Sequence, residues 1–192
     1  GSVMTIAEGG NGNSDGGAVY FTITNSSLFP IEITAFDMNI DGATLVDVDT
    51  TPGGHAGNET NAAAWTLAGQ LDATVGPFGP FTGAGPLTNA PVVGGTISIA
   101  PGSTGIALHA LTAMQSYTNG TGVNQNFSDG VITLDLGTTG NALFGGVFDP
   151  RVFNGAVYYE QNIPQVLPTD ACGPVTVTFV DSVEDLGCNA SG

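Results

Sequence analysis

Run after run of this chain alternates apolar with polar side chains, and nearly every run ends in glycine, proline, asparagine or aspartate. A period of two is the pattern of a strand with one buried face, and frequent turn residues keep such strands short. Residues 18–24 set Val19, Phe21 and Ile23 against Tyr20, Thr22 and Thr24, and Asn25-Ser26-Ser27 turns the chain. Residues 31–40 follow, with Ile31, Ile33, Ala35 and the next odd positions expected on one face. Asp41-Gly42 is a turn signal before Leu45-Val46-Asp47-Val48, and residues 50–57 read as a loop. Asn61-Ala62-Ala63-Ala64-Trp65 is the single segment with helical propensity, one turn before a strand through Thr66-Leu67.

Residues 76–95 are rich in Pro and Gly and are expected to form a long surface loop. Strands resume over residues 96–100, 105–111, 131–136 and 155–159. With 30 Gly, 11 Pro and no helical stretch long enough for a βαβ crossover, about eight to ten strands are expected. The fold class that follows is all-β: an antiparallel sandwich of jelly-roll type, carrying a short C-terminal strand or hairpin extension.

Charge removes several functions. One basic residue, Arg151, faces 17 Asp plus Glu for a net charge of −16, so neither a nucleic acid nor an anionic membrane surface is an expected partner. Hydrophobic residues still make up 41% of the chain, enough to build a core, which argues against disorder. No stretch reaches the length of a membrane-spanning helix.

The boundaries expected are a sandwich domain over residues 1–160, a Pro-containing linker over 161–168, and a segment over 169–192 that carries both cysteines. Cys172 and Cys188 flank the strand-like Val175-Thr176-Val177-Thr178-Phe179, with no C-x-x-C spacing to suggest zinc or a redox site. A disulfide between them is expected; it would contribute about 3 kcal/mol and imply an oxidising, extracellular compartment. Some twenty residues cannot hold a core alone. Two readings of the tail stay open: the opening of a further domain, cut off, or an inter-subunit strand presenting Val175, Val177 and Phe179 to a neighbour's sheet.

Several stretches resemble a family of large secreted and cell-surface proteins of Bacteroidota and other aquatic bacteria. They are Phe36-Asp37-Met38-Asn39-Ile40-Asp41-Gly42, Gly57-Asn58-Glu59-Thr60-Asn61, Tyr117-Thr118-Asn119-Gly120-Thr121-Gly122, Phe127-Ser128-Asp129-Gly130 and Phe148-Asp149-Pro150-Arg151-Val152-Phe153. Thr169-Asp170-Ala171-Cys172-Gly173-Pro174-Val175 resembles the opening of the HYR-like, immunoglobulin-type repeats that accompany such modules. The resemblance implies an extracellular β-sandwich beside adhesin-like repeats and carries over no catalytic residue.

The candidate sites are few. Asp37, Asn39 and Asp41 fit the D-x-N-x-D-G opening of a calcium loop, in which oxygens at alternate positions converge and the glycine permits a sharp turn. Position 12 is Val48 instead of a bidentate Glu, so the alternative is a plain strand end and turn. Residues 11–16 and 124–130 are two more oxygen-rich loops, and calcium is the one cofactor expected, relieving the self-repulsion of an acidic chain. Arg151 reads as a structural ion pair or a fork to backbone carbonyls, with a ligand carboxylate as the functional alternative. His55 lies in a Gly-rich loop and His109 in a strand, where it reads as locally satisfied; a zinc site at either would need carboxylates to complete it. Trp65, Tyr117, Phe153, Tyr158 and Tyr159 are the aromatics available to a sugar face, Trp65 being read as core.

Sequons at Asn25, Asn58, Asn119, Asn126 and Asn189 are frequent in any Asn- and Thr-rich chain. Thr50 and Ser182 sit in Asp-Ser/Thr motifs resembling the O-glycosylation signal of Bacteroidota. No G-x-S-x-G elbow occurs and nothing places two acids across a cleft, so no enzyme is expected. The expected role is an extracellular structural or adhesive module, with copies of itself or neighbouring domains as partners. The alternative is a carbohydrate-binding accessory module.

Overall fold

A computed structural model describes residues 1–6, 8, 10–79 and 85–163. The chain divides into two compact units, Gly1–Gln161 and Asn162–Gly192, and every strand described below lies in the first. In chain order these are β1 (Ser2–Met4), β2 (Asn11–Gly12), β3 (Ala18–Asn25), β4 (Ile31–Met38), β5 (Thr44–Pro52), β6 (Thr66–Ala73), β7 (Thr88–Pro91) and β8 (Ile97–Ile99). They continue with β9 (Gly102–Ala110), β10 (Ser116–Asn119), β11 (Asn126–Ser128), β12 (Ile132–Gly140), β13 (Val147–Phe148), β14 (Arg151–Phe153) and β15 (Gly155–Gln161). The expected helical turn is a single 3₁₀ turn, Ala62–Ala64.

All strand pairs are antiparallel, and two large sheets result. One runs β1-β15-β4-β7, with β8 also on β4; the other runs β11-β12-β3-β9-β5-β6, with β13 also on β12. The chain changes sheet between β3 and β4, β4 and β5, β6 and β7, and β8 and β9. This interleaving builds an antiparallel sandwich, the all-β class expected from the alternation. A small third sheet runs β14-β10-β2.

The inner faces meet in one core. Phe21 of β3 is fully buried, stacks on Phe153 at 5.3 Å and meets Phe36 of β4 edge-on at 6.5 Å. Around these rings lie Ile23, Ile33, Met38, Val48, Ile106 and Leu134, each with no exposed area. Burial of each such side chain contributes roughly 1.5–3 kcal/mol.

The outer face of β3 is covered as well. Ala18 and Tyr20 pack with Ala107 and Trp65 in a second apolar cluster, against which Phe144 and Val147 lean. The segments that lead to Trp65 and to Val147 therefore act as a partial third layer over the larger sheet.

Three expectations change. In β4 the odd positions do not keep one face: the register shifts between Tyr158 and Tyr159 of β15, leaving Thr34 as an extra residue. Beyond this bulge Phe36 and Met38 enter the core and Asp37 turns outward. Residues 76–95 are not one loop. Thr88–Pro91 pairs with β4, and the Val92 and Val93 amides reach Thr34 O and Gln70 O at 2.9 and 2.8 Å. Its inward residues, Thr88 and Ala90, are too small to show as apolar alternation. Finally, β5 runs through Pro52 into the segment expected to be a loop, because residues 50–52 still pair with β9.

Candidate functional site

The calcium-like hexapeptide is divided among separate tasks. Asp37 Oδ1 accepts from Asn89 Nδ2 at 2.8 Å, and Oδ2 accepts from the Tyr158 hydroxyl at 2.7 Å. That bond, followed by burial and the Asp37 charge, raises the Tyr158 pKa. Asp41 Oδ1 caps the Met114 amide at 2.9 Å. Asn39 is buried, and neither atom of its amide has a hydrogen-bond partner among the described residues. Among those residues no group of three or more His, Cys, Asp or Glu stands together as a metal-binding set.

Side chains of the other oxygen-rich loops are committed to backbone amides. Asn13 Oδ1 accepts the Gln115 amide at 2.7 Å, Asn124 Oδ1 the Thr121 amide at 2.8 Å, and Asp129 Oδ1 the amides of Val131 and Ile132.

The histidines lie over the outer face of the larger sheet. His55 is buried, with Nδ1 2.8 Å from Thr22 Oγ1 and its own amide donating to the same hydroxyl at 3.1 Å. Burial lowers its pKa against the raising effect of Glu59, Asp135 and Asp149. His109 stands across from Asp47, and its Nδ1 is buried without a hydrogen-bond partner among the described residues, which corrects the expectation that it is locally satisfied. Asp49, 8% exposed, has its pKa raised by burial and by Asp47, with His109 acting in the opposite sense.

Of the aromatics available to a sugar, Trp65, Tyr117, Phe153 and Tyr159 are buried and Tyr158 is half-buried. Trp65 is core, as expected; its Nε1 donates to Asn58 O at 2.8 Å and its ring meets Tyr20 and Phe144.

Asn25 is also buried, its amide committed to Phe29 O and Ile99 O, which leaves it no face for a glycan. Asn119 and Asn126 are exposed. Asn58 is half-buried and donates to Gly54 O. Thr50 is half-buried in β5 between Thr66 and Ile106. Cys172, Cys188, Val175, Val177, Phe179, Ser182 and Asn189 lie outside the described residues.

Arg151 occupies the arrangement with most chemical potential. It opens β14 and stands across from Asn119 of β10, where Tyr117 pairs with Phe153. Alternation puts Tyr117 and Arg151 on the same face one step apart, and the guanidinium carbon lies 5.4 Å from the Tyr117 ring centre. Phe148 of β13, 42% exposed, approaches from another side at 5.8 Å. Pro150 O accepts Nη1 at 2.8 Å and also the Gly120 amide at 3.0 Å. A Cβ on Gly120 would stand 3.0 Å from the Pro150 carbonyl carbon, so a glycine is what lets the two segments meet this closely.

No ion pair to Arg151 occurs among the described residues, which corrects half of the expectation: one carbonyl and two rings hold it, and no carboxylate does. Nε is sealed from solvent without a hydrogen-bond partner among the described residues. Sequence reasoning singled out the cation but not its cradle, because Tyr117 is brought to it by the β10–β14 pairing with no local signal, although Phe148 lies only three residues before it.

Comparison with known proteins gives no context for these sites: no family model, no curated protein and no solved structure matches the chain.

Proposed function

We propose that this chain is an extracellular structural or adhesive module of a bacterial surface protein or fibre. In this reading residues 169–192 associate with another copy by strand addition, Val175, Val177 and Phe179 facing the acceptor's core. The observation that carries it is that the described strands form two large sheets around one apolar core in the compact unit Gly1–Gln161, while the cysteine-bearing segment falls in a second unit, Asn162–Gly192. That segment carries an alternating, strand-like sequence and both cysteines. A skin with one cation in 192 residues fits long life outside a cell, since trypsin-like proteases find one cleavage site. The burial of Trp65, Tyr117, Phe153 and Tyr159 leaves the sugar-binding alternative without an aromatic platform among them.

Deleting residues 169–192 tests this. The deleted chain is expected to keep the wild-type β-sheet circular dichroism and cooperative unfolding while losing all self-association. Self-association that survives the deletion contradicts the proposal.

A further inference from the structure

We infer that Asn11 is a site of spontaneous covalent modification: the Gly12 backbone nitrogen attacks the Asn11 side-chain amide, and residue 11 ends as aspartate or isoaspartate.

An Asn-Gly pair offers this ring closure the least hindrance, because glycine puts no side chain beside the attacking nitrogen. The chain holds three such pairs, Asn11-Gly12, Asn119-Gly120 and Asn154-Gly155. The fold treats them differently. The Gly120 amide donates to Pro150 O at 3.0 Å, and the Gly155 amide to Thr5 Oγ1 at 3.0 Å. Asn154 is also fully buried, its Oδ1 accepting the Thr118 hydroxyl at 2.8 Å. In both pairs the nitrogen that would attack is held on another acceptor.

Asn11-Gly12 is free of that restraint. β2 is the edge of the small sheet, and the Asn13 amide, bonded to Gln115 O at 3.1 Å, fixes the phase of its ladder. One residue back, the Gly12 amide therefore points off the open side of the sheet. There it donates to Asn11 Oδ1 at 3.1 Å, the oxygen of the very carbonyl group it would attack. Nucleophile and electrophile are kept together by the fold, and Asn11 is exposed to water.

Water is the sole co-reactant. Hydroxide removes the Gly12 amide proton, the nitrogen bonds to Asn11 Cγ, and the bond from Cγ to Nδ2 breaks. Nδ2 takes protons from solvent and leaves as ammonia, which leaves a cyclic imide. Water then opens the ring at Cγ to give aspartate, or at the Asn11 main-chain carbonyl carbon to give isoaspartate. Nothing is oxidised or reduced. Both products place a carboxylate on the face that carries Tyr117, Asn119 and Arg151, since Asn11 stands across from Tyr117 and its Nδ2 reaches Asn119 Oδ1 at 3.4 Å. Isoaspartate also adds a carbon to the main chain, which moves Gly12 out of register with Ser116.

The purified full chain is to be incubated in mildly alkaline buffer, folded and in concentrated urea, then digested with chymotrypsin for mass spectrometry that separates aspartate from isoaspartate. Cleavage after Tyr20, Tyr117, Phe127, Phe153 and Tyr158 puts the three pairs in different peptides. In the folded chain Asn11 is expected to convert first, to both products, at a rate close to that in urea and rising with pH. Asn119 is expected to convert about tenfold more slowly folded than in urea, because its neighbour's nitrogen must first leave Pro150 O, and Asn154 more slowly still. Gly12→Ala is expected to slow conversion at Asn11 about tenfold, while undiminished protection of Asn119 and Asn154 reports that the fold is kept. Folding that protects Asn11 as strongly as Asn119 overturns the inference. So does aspartate at residue 11 without isoaspartate, which would mean direct hydrolysis of the side chain by water.

Discussion

The Tyr159 hydroxyl donates to Asp129 Oδ2 at 2.5 Å, joining a strand within one sheet of the sandwich to the turn that opens β12 in the other. Burial opposes ionisation of Asp129, but hydrogen bonds from Tyr159, Ile132 and Val131 outweigh it, so its pKa falls below the usual carboxylate value. Burial, with the same hydrogen bond and charge, raises the Tyr159 pKa. A lowered folded-state pKa stabilises at pH values above the unfolded pKa, about 3.9, and that contribution is lost as pH falls through the folded value. Tyr159→Phe is therefore expected to cost about 1–2 kcal/mol at pH 7 and less at pH 3, measured by urea unfolding. An unchanged midpoint at pH 7 would show that the two sheets do not depend on this bond.

His55 gives a second pH dependence of different origin. Its folded pKa is lowered, chiefly by burial, so the unfolded chain takes up a proton near pH 6.5 that the folded chain refuses. Stability is expected to decline as pH falls from about 7 to 5 in the wild type, and His55→Gln should remove that slope. Denaturant midpoints taken at half-unit intervals decide it; a parallel decline in both chains would mean another group is titrating.

At Asp49 the sign is reversed for a carboxylate. Burial and Asp47 raise its folded pKa, so its contribution is present below the unfolded pKa and is lost as pH rises through the raised one. Asp49→Asn is accordingly expected to raise the melting temperature at pH 7 and to leave it nearly unchanged at pH 3. A lower melting temperature at pH 7 would reveal a structural role for the charge.

The loop bearing His55 lies directly on the sheet. A Cβ at Gly105 would come within 2.7 Å of the Gly54 carbonyl carbon and the His55 nitrogen, both backbone atoms. Gly105→Ala is expected to cost about 1–3 kcal/mol, because a stretch of main chain must move. Gly146, with nothing within 4 Å of its virtual Cβ, is the control whose replacement by Ala should be close to neutral. Equal costs at the two positions would contradict the packing described for this loop.

The parts of the fold readable from sequence are those in which side-chain alternation and burial coincide. In β3, Val19, Phe21 and Ile23 point inward as their spacing implies, and β9 and β12 lie where apolar runs resume. The parity of β4 was hidden because the bulge at Thr34 is set by its pairing with β15, which no local pattern encodes. Strands as short as β2, β13 and β14 carry too few residues to show a period. Arg151 stood out by its rarity, but its setting depends on Tyr117, 34 positions away and brought to it by the pairing of β10 with β14, as well as on the nearby Phe148. Asp37, Asn39 and Asp41 matched a motif through residue type, whereas the fold gives Asp37 and Asp41 different partners and buries Asn39.

The central claim, that the chain associates with copies of itself through its C-terminal segment, is tested most directly by light scattering with negative-stain microscopy on the purified full chain. The account predicts a mass that grows with concentration and end-to-end assemblies of regular repeat. A monodisperse monomer at every concentration would contradict it.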